Sequence, residues 1–458
     1  MPTAPASLRG PKPRWITGHL SEFRADRLGF FVRCAKEYGD IVPLRLMKFR
    51  ILLLSRPDLI EDVLVTQSKN FIKHFGLRLY KPLLGDGLVT AEGDHWRRQR
   101  KLSAPAFQGG RIASYSRAMV NLTLAMLDNW QTGEVRDVHE DLSRLTMEIA
   151  CVTLFGAEAG PDPQVVGLAL NDAMESLAAR WKRSLPVPSW LPTRENRRFR
   201  RATRALDGIV GQIVGRKRDA EDGGGDDLLS SLLAAQDENG SAFTNAQLLD
   251  EVRTLFLAGH ETTALALTYS LHLLAENPAA QEKLGAELDA VLGGRPPTHA
   301  DIERLPYTRN VVTESMRVYP PADFLGREAI VDCTVGGVQV PKGTNLFMSQ
   351  WVMHHDARYF RDPWTFDPDR WTPEFERSLP RFVYFPFGAG PRYCIGQTFA
   401  TAEAVLGLAA ICQRFRFAPD PAHPLELWPG ITMRPRHGLR LIVSARNAQH
   451  HATETLSA

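Results

Sequence analysis

The chain has 458 residues, 44% hydrophobic and 23% charged, a balance that supplies a sizeable soluble core. A net charge of +3 gives no sign of a nucleic-acid partner, and the opening MPTAPASLRGPKPRW has no apolar run long enough for a signal peptide or a membrane span. Five cysteines without a CxxC pair or metal-finger spacing argue against a disulfide framework or a zinc module, and imply a reducing, cytoplasmic compartment.

After a lead segment at 1–15, IVPLRL (41–46) and ILLLS (51–55) read as a strand hairpin. Helical periodicity follows at 58–66, 95–106, 112–130, 137–154, 165–182 and 195–217. KRDAEDGGGDD (217–227) reads as a solvated loop, and helices resume at 245–275, 278–292 and 307–318. CTVGGVQVPKGTNLFM (333–348), with its Gly-Gly and Pro-Lys-Gly turns, is β-like. A helix at 397–412, a strand at LRLIV (439–443) and a frayed tail at 447–458 complete the chain. There is no internal repeat. The β segments toward both ends predict that N- and C-terminal parts share one sheet, within one large, mainly α domain with small β-sheets (α+β) over 16–446.

Four segments carry chemistry. In LFLAGHETTALAL (255–267) an apolar helix is interrupted by Gly259, His260, Glu261, Thr262 and Thr263. A glycine costs about 1 kcal/mol in a helix interior, and the Thr262 hydroxyl can bond back to the Ala258 carbonyl, which favours a local widening. The polar groups either satisfy one another in a kinked helix or serve a function. In HWRRQRK (95–101), Trp96 and Arg100 stand one helical turn apart and would clamp a carboxylate or phosphate. Arg97, Arg98 and Lys101 form either a solvated basic face or a docking patch for an acidic protein. ESMR puts Glu314 and Arg317 at i and i+3. FGAGPRYCIG (387–396) holds Cys394 among glycines, two residues after Arg392.

That last stretch fits Phe-x-x-Gly-x-Arg-x-Cys-x-Gly at Phe387, Gly390, Arg392, Cys394 and Gly396. With AGHETT (258–263), ESMR (314–317), FDPDRW (366–371) and WRRQR (96–100) in order and spacing, the chain resembles the cytochrome P-450 heme-thiolate monooxygenases over essentially its whole length. The likeness is greatest to the fatty-acid-hydroxylase-like, eukaryote-like branch, here without membrane anchor or fused reductase. The resemblance implies heme b, with Cys394 as the proximal thiolate and metal ligand. Phe387 would pack beside the sulfur, and a helix beginning near Gly396 would turn its positive end toward it. Trp96, Arg100, Arg327 and Arg392 would hold the heme propionates. Ala258 and Gly259 would line an oxygen groove, with Thr262 and Glu261 as the alcohol–acid pair that moves protons. Glu314, Arg317 and Arg370 would form a buried, structural salt-bridge triad.

Position in the chain suggests an apolar substrate pocket drawn from Phe71, Phe75, Tyr80, Leu84, Leu88, Phe256, Phe324, Leu325, Ile431 and Met433. Each is equally a plain core residue. A long-chain fatty acid leads, with a terpenoid or steroid close behind. Lys73, Arg78 or Lys81 would hold a fatty-acid carboxylate or simply be surface charge, and Asp323 would face pocket or solvent. Without a flavin, iron–sulfur or nicotinamide motif, electrons would come from a separate ferredoxin or flavodoxin with an NAD(P)H reductase, and the oxygen atom from O2. A peroxide-driven peroxygenase and a non-catalytic heme sensor are the alternatives. The intact Glu261–Thr262 pair argues against the first, and the lack of a segment large enough for an output domain against the second.

Overall fold

The computed structural model describes residues 8–156, 190–219 and 227–446, with isolated positions between 157 and 189. Alternating Ile, Val and Leu build the hairpin β1 (Ile41–Leu46) and β2 (Phe49–Leu54). The strand β8 (Asn345–Met348) pairs parallel with β2, placing Ile51 opposite Asn345. Adding β5 (Leu325–Ala329) and β3 (Phe71–Lys73) gives a five-stranded sheet in the order β1-β2-β8-β5-β3. The two-residue period sorts side chains into two cores. Leu52, Leu54, Leu346 and Met348 pack with Ile60, Val63 and Phe360 on one face. Ile51, Leu53 and Phe347 pack with Phe30, Phe31 and Val42 on the other. Burial on both faces is why ILLL is continuously apolar.

The C-terminal strand departs from expectation. β12 (Arg440–Ala445) lies between β4 (Val135–Asp137) and β9 (Phe415–Pro419) in a separate antiparallel sheet. The shared-sheet expectation therefore holds for 345–348 and fails for 440–445. The reason is visible in the strand. Leu441 and Val443 are buried while Arg440 and Ser444 are exposed, an alternation suited to a sheet with one wet face. The remaining short strands pair locally, β6 (Cys333–Val335) with β7 (Val338–Val340) and β10 (Leu427–Pro429) with β11 (Met433–Pro435).

The chain divides into two compact units, each assembled from separated segments. One comprises residues up to Arg78, Arg309–Gln397 and Glu426–Arg436; the other comprises Leu79–Thr308, Thr398–Leu425 and residues from His437. The second unit is helical around Asn245–Glu276. This helix starts at a capping box in which Thr244 accepts the Gln247 N–H and Gln247 accepts the Thr244 N–H. It packs against Val138–Phe155. Most helices start and stop within three residues of the periodic reading, and Pro278–Leu292 falls on the same residues. Most of the 165–182 helix, the first seven residues and the 447–458 tail lie outside the described residues. So does most of the 217–227 loop, although the Arg194–Asp219 helix runs into its first three positions.

The first unit is braced by the anticipated triad. Glu314 and Arg317 are both fully buried. Arg317 donates Nε and Nη2 to the Glu314 carboxylate at 2.8 Å each, and Arg370 Nε donates to the same carboxylate at 2.9 Å. Two further donors were not anticipated, Trp371 Nε1 (2.8 Å) and the Asp367 N–H (3.0 Å). Arg317 also donates to the carbonyls of His354, Pro363 and Thr365.

His74, His354 and His355 belong to this unit. Burial, followed by the nearby Arg327 for His74, holds His74 and His355 at about 3 and His354 well below the ordinary 6.5. The unfolded chain takes up protons on these rings near 6.5, whereas the folded chain does so only near 3 at His74 and His355 and well below 6.5 at His354. Stability is therefore complete above 6.5 and is lost as pH falls through that window. We expect urea midpoints to hold between pH 8 and 7 and to drop below 6.5, by at most about 1.4 kcal/mol per pH unit for each ring. A flat profile down to pH 5 would contradict neutral burial.

Candidate active site

The Cys394 turn is built by backbone freedom at two glycines. Gly388 and Gly390 have φ of 72° and 68°. A Cβ at Gly390 would lie 1.9 Å from the Leu64 carbonyl oxygen, so the turn lies against the 62–66 segment only with glycine there. The Cys394 N–H donates to the Phe387 carbonyl at 3.0 Å and closes the loop. Helix Gln397–Arg414 begins three residues further on. Cys394 is exposed, while Cys34, Cys151 and Cys412 are buried. Burial pushes the Cys34 and Cys412 thiols up to about 12 and raises Cys333 as well. Among the five, Cys394 is thus the exposed thiol.

Phe387, Arg392 and Gly396 are half-buried around it. Arg327 belongs to the same unit, buried on β5 and donating to the Gly326 carbonyl at 2.9 Å. β5 reaches the turn, since Leu325 Cδ1 lies 3.3 Å from where a Gly388 Cβ would stand.

The other residues predicted for propionate binding, the oxygen groove and proton transfer lie in the second unit. Trp96 is buried and Arg100 half-buried on helix Gly93–Ser103. On Asn245–Glu276 every residue from Thr263 to Ala275 is buried, yet Ala258 is exposed and Gly259 and Thr262 are half-exposed. A Cβ at Gly259 would meet nothing within 4 Å. These three residues make an open face just before the enclosed stretch 263–275. Glu261 is buried beside it. Thr262 Oγ1 donates to the Ala258 carbonyl at 2.9 Å, the bond expected from the sequence. The expected widening is absent, because the helix runs unbroken through 258–263.

The basic positions of this helix are paired with acids. Arg97 pairs with Asp94 and Lys101 with Glu238. Arg98 donates to Asp237 at 2.6 Å and to the carbonyls of Ser241 and Ala242 at 2.9 Å each. These pairings, which Arg98 and Lys101 make with the 237–242 turn, replace a bare cationic surface. Arg78 pairs with Glu328 (2.5 Å), Lys81 with Asp86 (2.7 Å), and Lys73 is buried on β3. Asp323 faces neither pocket nor solvent. It is buried and accepts both Nε (2.9 Å) and Nη2 (2.6 Å) of Arg27. Burial raises its carboxyl even against that guanidinium.

Several pocket residues have core neighbours. Phe71 belongs to the Leu52–Leu346 core, and Phe75 stacks on Phe49 with ring centres 3.8 Å apart. Phe324 packs against Phe31 and Phe347. Met433 is buried, its N–H donating to the Pro321 carbonyl at 2.9 Å, and Ile431 is half-buried. In the second unit Leu84, Leu88 and Phe256 are buried and Tyr80 half-buried.

The donor set suits iron in a macrocycle. A single exposed thiol offers one bond, and no group of three or more His, Cys, Asp or Glu among the described residues could hold a bare ion. A metal held by this thiol would bring its other donors with it, as heme iron does.

A family model described as Cytochrome P450 matches residues 8–440. Cyclooctatin synthase of Streptomyces melanosporofaciens is 37% identical, covering 90% of this chain and 88% of its own. Cyclooctat-9-en-7-ol 5-monooxygenase of the same organism is 35% identical over 93% and 95%. The solved structure of retinoic acid bound cyanobacterial CYP120A1 superposes with a TM-score of 0.86 at 27% identity, over 96% of this chain and 99% of that one. Mainly helical architecture with small sheets and a glycine-bound thiol loop define a heme-thiolate oxidoreductase. The chain belongs to the cytochrome P450 family, a monooxygenase that incorporates oxygen from O2 and carries heme b. Among the described residues no helix is long and apolar enough to cross a membrane.

Proposed function

We propose that the chain hydroxylates a neutral polycyclic terpenoid at the open face formed by Ala258, Gly259 and Thr262, the observation that carries this reading. Cys394 is the thiolate ligand, with Phe387 and Gly396 shaping its turn. Trp96, Arg100, Arg327 and Arg392 hold the propionates. Heme supplies the O2 chemistry when bound, and the chain's own residues orient, exclude water and move protons. Ala258 and Gly259 leave room where a larger side chain would fill the groove. Thr262 Oγ1 keeps lone pairs to accept from a water while its own proton is held by the Ala258 carbonyl. Glu261, buried next to it, is the acid that resupplies protons.

A terpenoid is favoured over a fatty acid on two grounds. One relative is named for acting on cyclooctat-9-en-7-ol. Of the side chains considered for a carboxylate, Arg78 and Lys81 already pair with acids and Lys73 is buried on β3. Electrons come from a ferredoxin or flavodoxin with its NAD(P)H reductase, in the cytoplasm.

Thr262→Ala should lower product formation on the order of 100-fold while reductant consumption continues. Product and reductant measured together with a polycyclic terpene alcohol test this, with lauric acid as the comparison. Equal turnover of parent and variant would sink the proton role. Turnover with hydrogen peroxide but not with O2 and reductant would favour the peroxygenase reading.

A further inference from the structure

The loop after Leu84 is fastened to the long helix by two neighbouring carboxylates. Asp250 Oδ2 accepts the Asp86 N–H at 2.8 Å, and Glu251 Oε2 accepts the Leu88 N–H at 3.0 Å. Two glycines permit the close approach. A Cβ at Gly85, where φ is 59°, would fall 2.0 Å from Asp250 Oδ1, and one at Gly87 would fall 2.1 Å from Thr254 Oγ1. Thr90 Oγ1 donates to the Gly85 carbonyl at 2.6 Å and closes the turn. Asp250 is itself steadied by Arg253 at 3.1 Å, which also pairs with Asp207.

Glu251 is the unusual member of this set, because it is fully buried. Desolvating a carboxylate is costly, and an exposed acceptor would satisfy the same backbone N–H more cheaply. What the buried side chain adds is a hydrogen bond of ordinary length, shielded from water, that fixes one backbone atom against a rigid helix. That atom carries Leu88, whose side chain is buried. Glu251 and Ala258 lie seven residues apart on one helix, roughly 10 Å along its axis. The residue that holds the Leu88 N–H is thus about two turns from the open face, a span comparable to a polycyclic isoprenoid skeleton.

We infer that Glu251 is a specificity-determining positioning residue: by holding the Leu88 N–H it fixes Leu88 as a wall of the substrate pocket, and so sets which carbon of a rigid substrate reaches the Ala258–Thr262 face. This rests on the proposed reading of that face as the oxygenation site.

The test uses the full-length holoprotein with Glu251→Gln, Glu251→Leu and Leu88→Ala. Two probes of the heme pocket are titrated by Soret shift, imidazole and the bulkier 4-phenylimidazole, and amide exchange is followed over 85–91. Glu251→Gln, whose carbonyl still accepts the Leu88 N–H, should keep both exchange protection and the ratio of the two dissociation constants. Glu251→Leu should speed exchange about tenfold and shift the ratio about fivefold, and Leu88→Ala should shift the ratio similarly. An unchanged ratio in Leu88→Ala would overturn the proposal. So would faster exchange in Glu251→Leu with a ratio within about twofold of the parent, or no change in its exchange. Failure of imidazole to shift the Soret band of the parent is a different result. It would overturn the heme-site reading, while amide exchange would still judge the clamp.

Discussion

Cys394→Ser should abolish the thiolate signature and with it turnover. The dithionite-reduced parent under carbon monoxide is expected to show a strongly red-shifted Soret band, and the variant none. An alcohol remains protonated where a thiol of ordinary pKa near 8.5 can ionise. No other cysteine is equally presented, since Cys34 and Cys412 are buried with thiols near 12, Cys151 is buried as well, and the half-buried Cys333 has its thiol raised by burial and the nearby Asp62. The loss should therefore be complete rather than partial. Retention of the band in Cys394→Ser would place the iron ligand elsewhere and remove the basis of the site.

Glu314→Ala should be the most destabilising single change in the first unit. It strands the fully buried Arg317 and also removes the acceptor for Arg370, Trp371 and the Asp367 N–H. Breaking one partner of a buried ion pair costs about 3–5 kcal/mol, a large part of the roughly 5–15 kcal/mol that holds a domain together. The useful control has the same spacing in a different setting. Glu374 and Arg377 are also i and i+3 and pair at 2.8 Å, but both are about three-quarters exposed. Glu374→Ala should stay within about 0.5 kcal/mol of the parent. Urea denaturation of both variants decides the matter. A Glu314→Ala loss as small as that of Glu374→Ala would show that burial is not what gives the triad its weight.

The contrast shows what could be read from the sequence and what could not. Glu314 and Arg317 were legible as a pair because four residues of one helix contain them, and their importance was legible only through resemblance. Trp371 was missed as a third kind of donor because an indole in a loop has no period to announce it. The Arg27–Asp323 pair was invisible for another reason: its partners are 296 residues apart, and only the folded chain brings them together. Long helices such as Asn245–Glu276 declared themselves through periodicity. Strands of three to five residues, including β3 and β5, are too short to show alternation. The Cys394 turn was the most legible feature, since glycine-enforced geometry leaves its mark in residue identity. The paired state of Arg98 and Lys101 was the least, because Asp237 and Glu238, acids distant in sequence, neutralise them.

The pairing of β2 with β8 also sets an order of events during synthesis. β2 is complete at residue 54, but its parallel neighbour ends at residue 348. At about 5–20 residues per second the ribosome needs roughly 15–60 s to make the intervening stretch. Throughout that interval ILLL has one ladder edge without its native partner, the kind of edge that recruits another chain. The nascent protein therefore has to be shielded, by its own early helices or by a chaperone, until the later half of the sheet emerges.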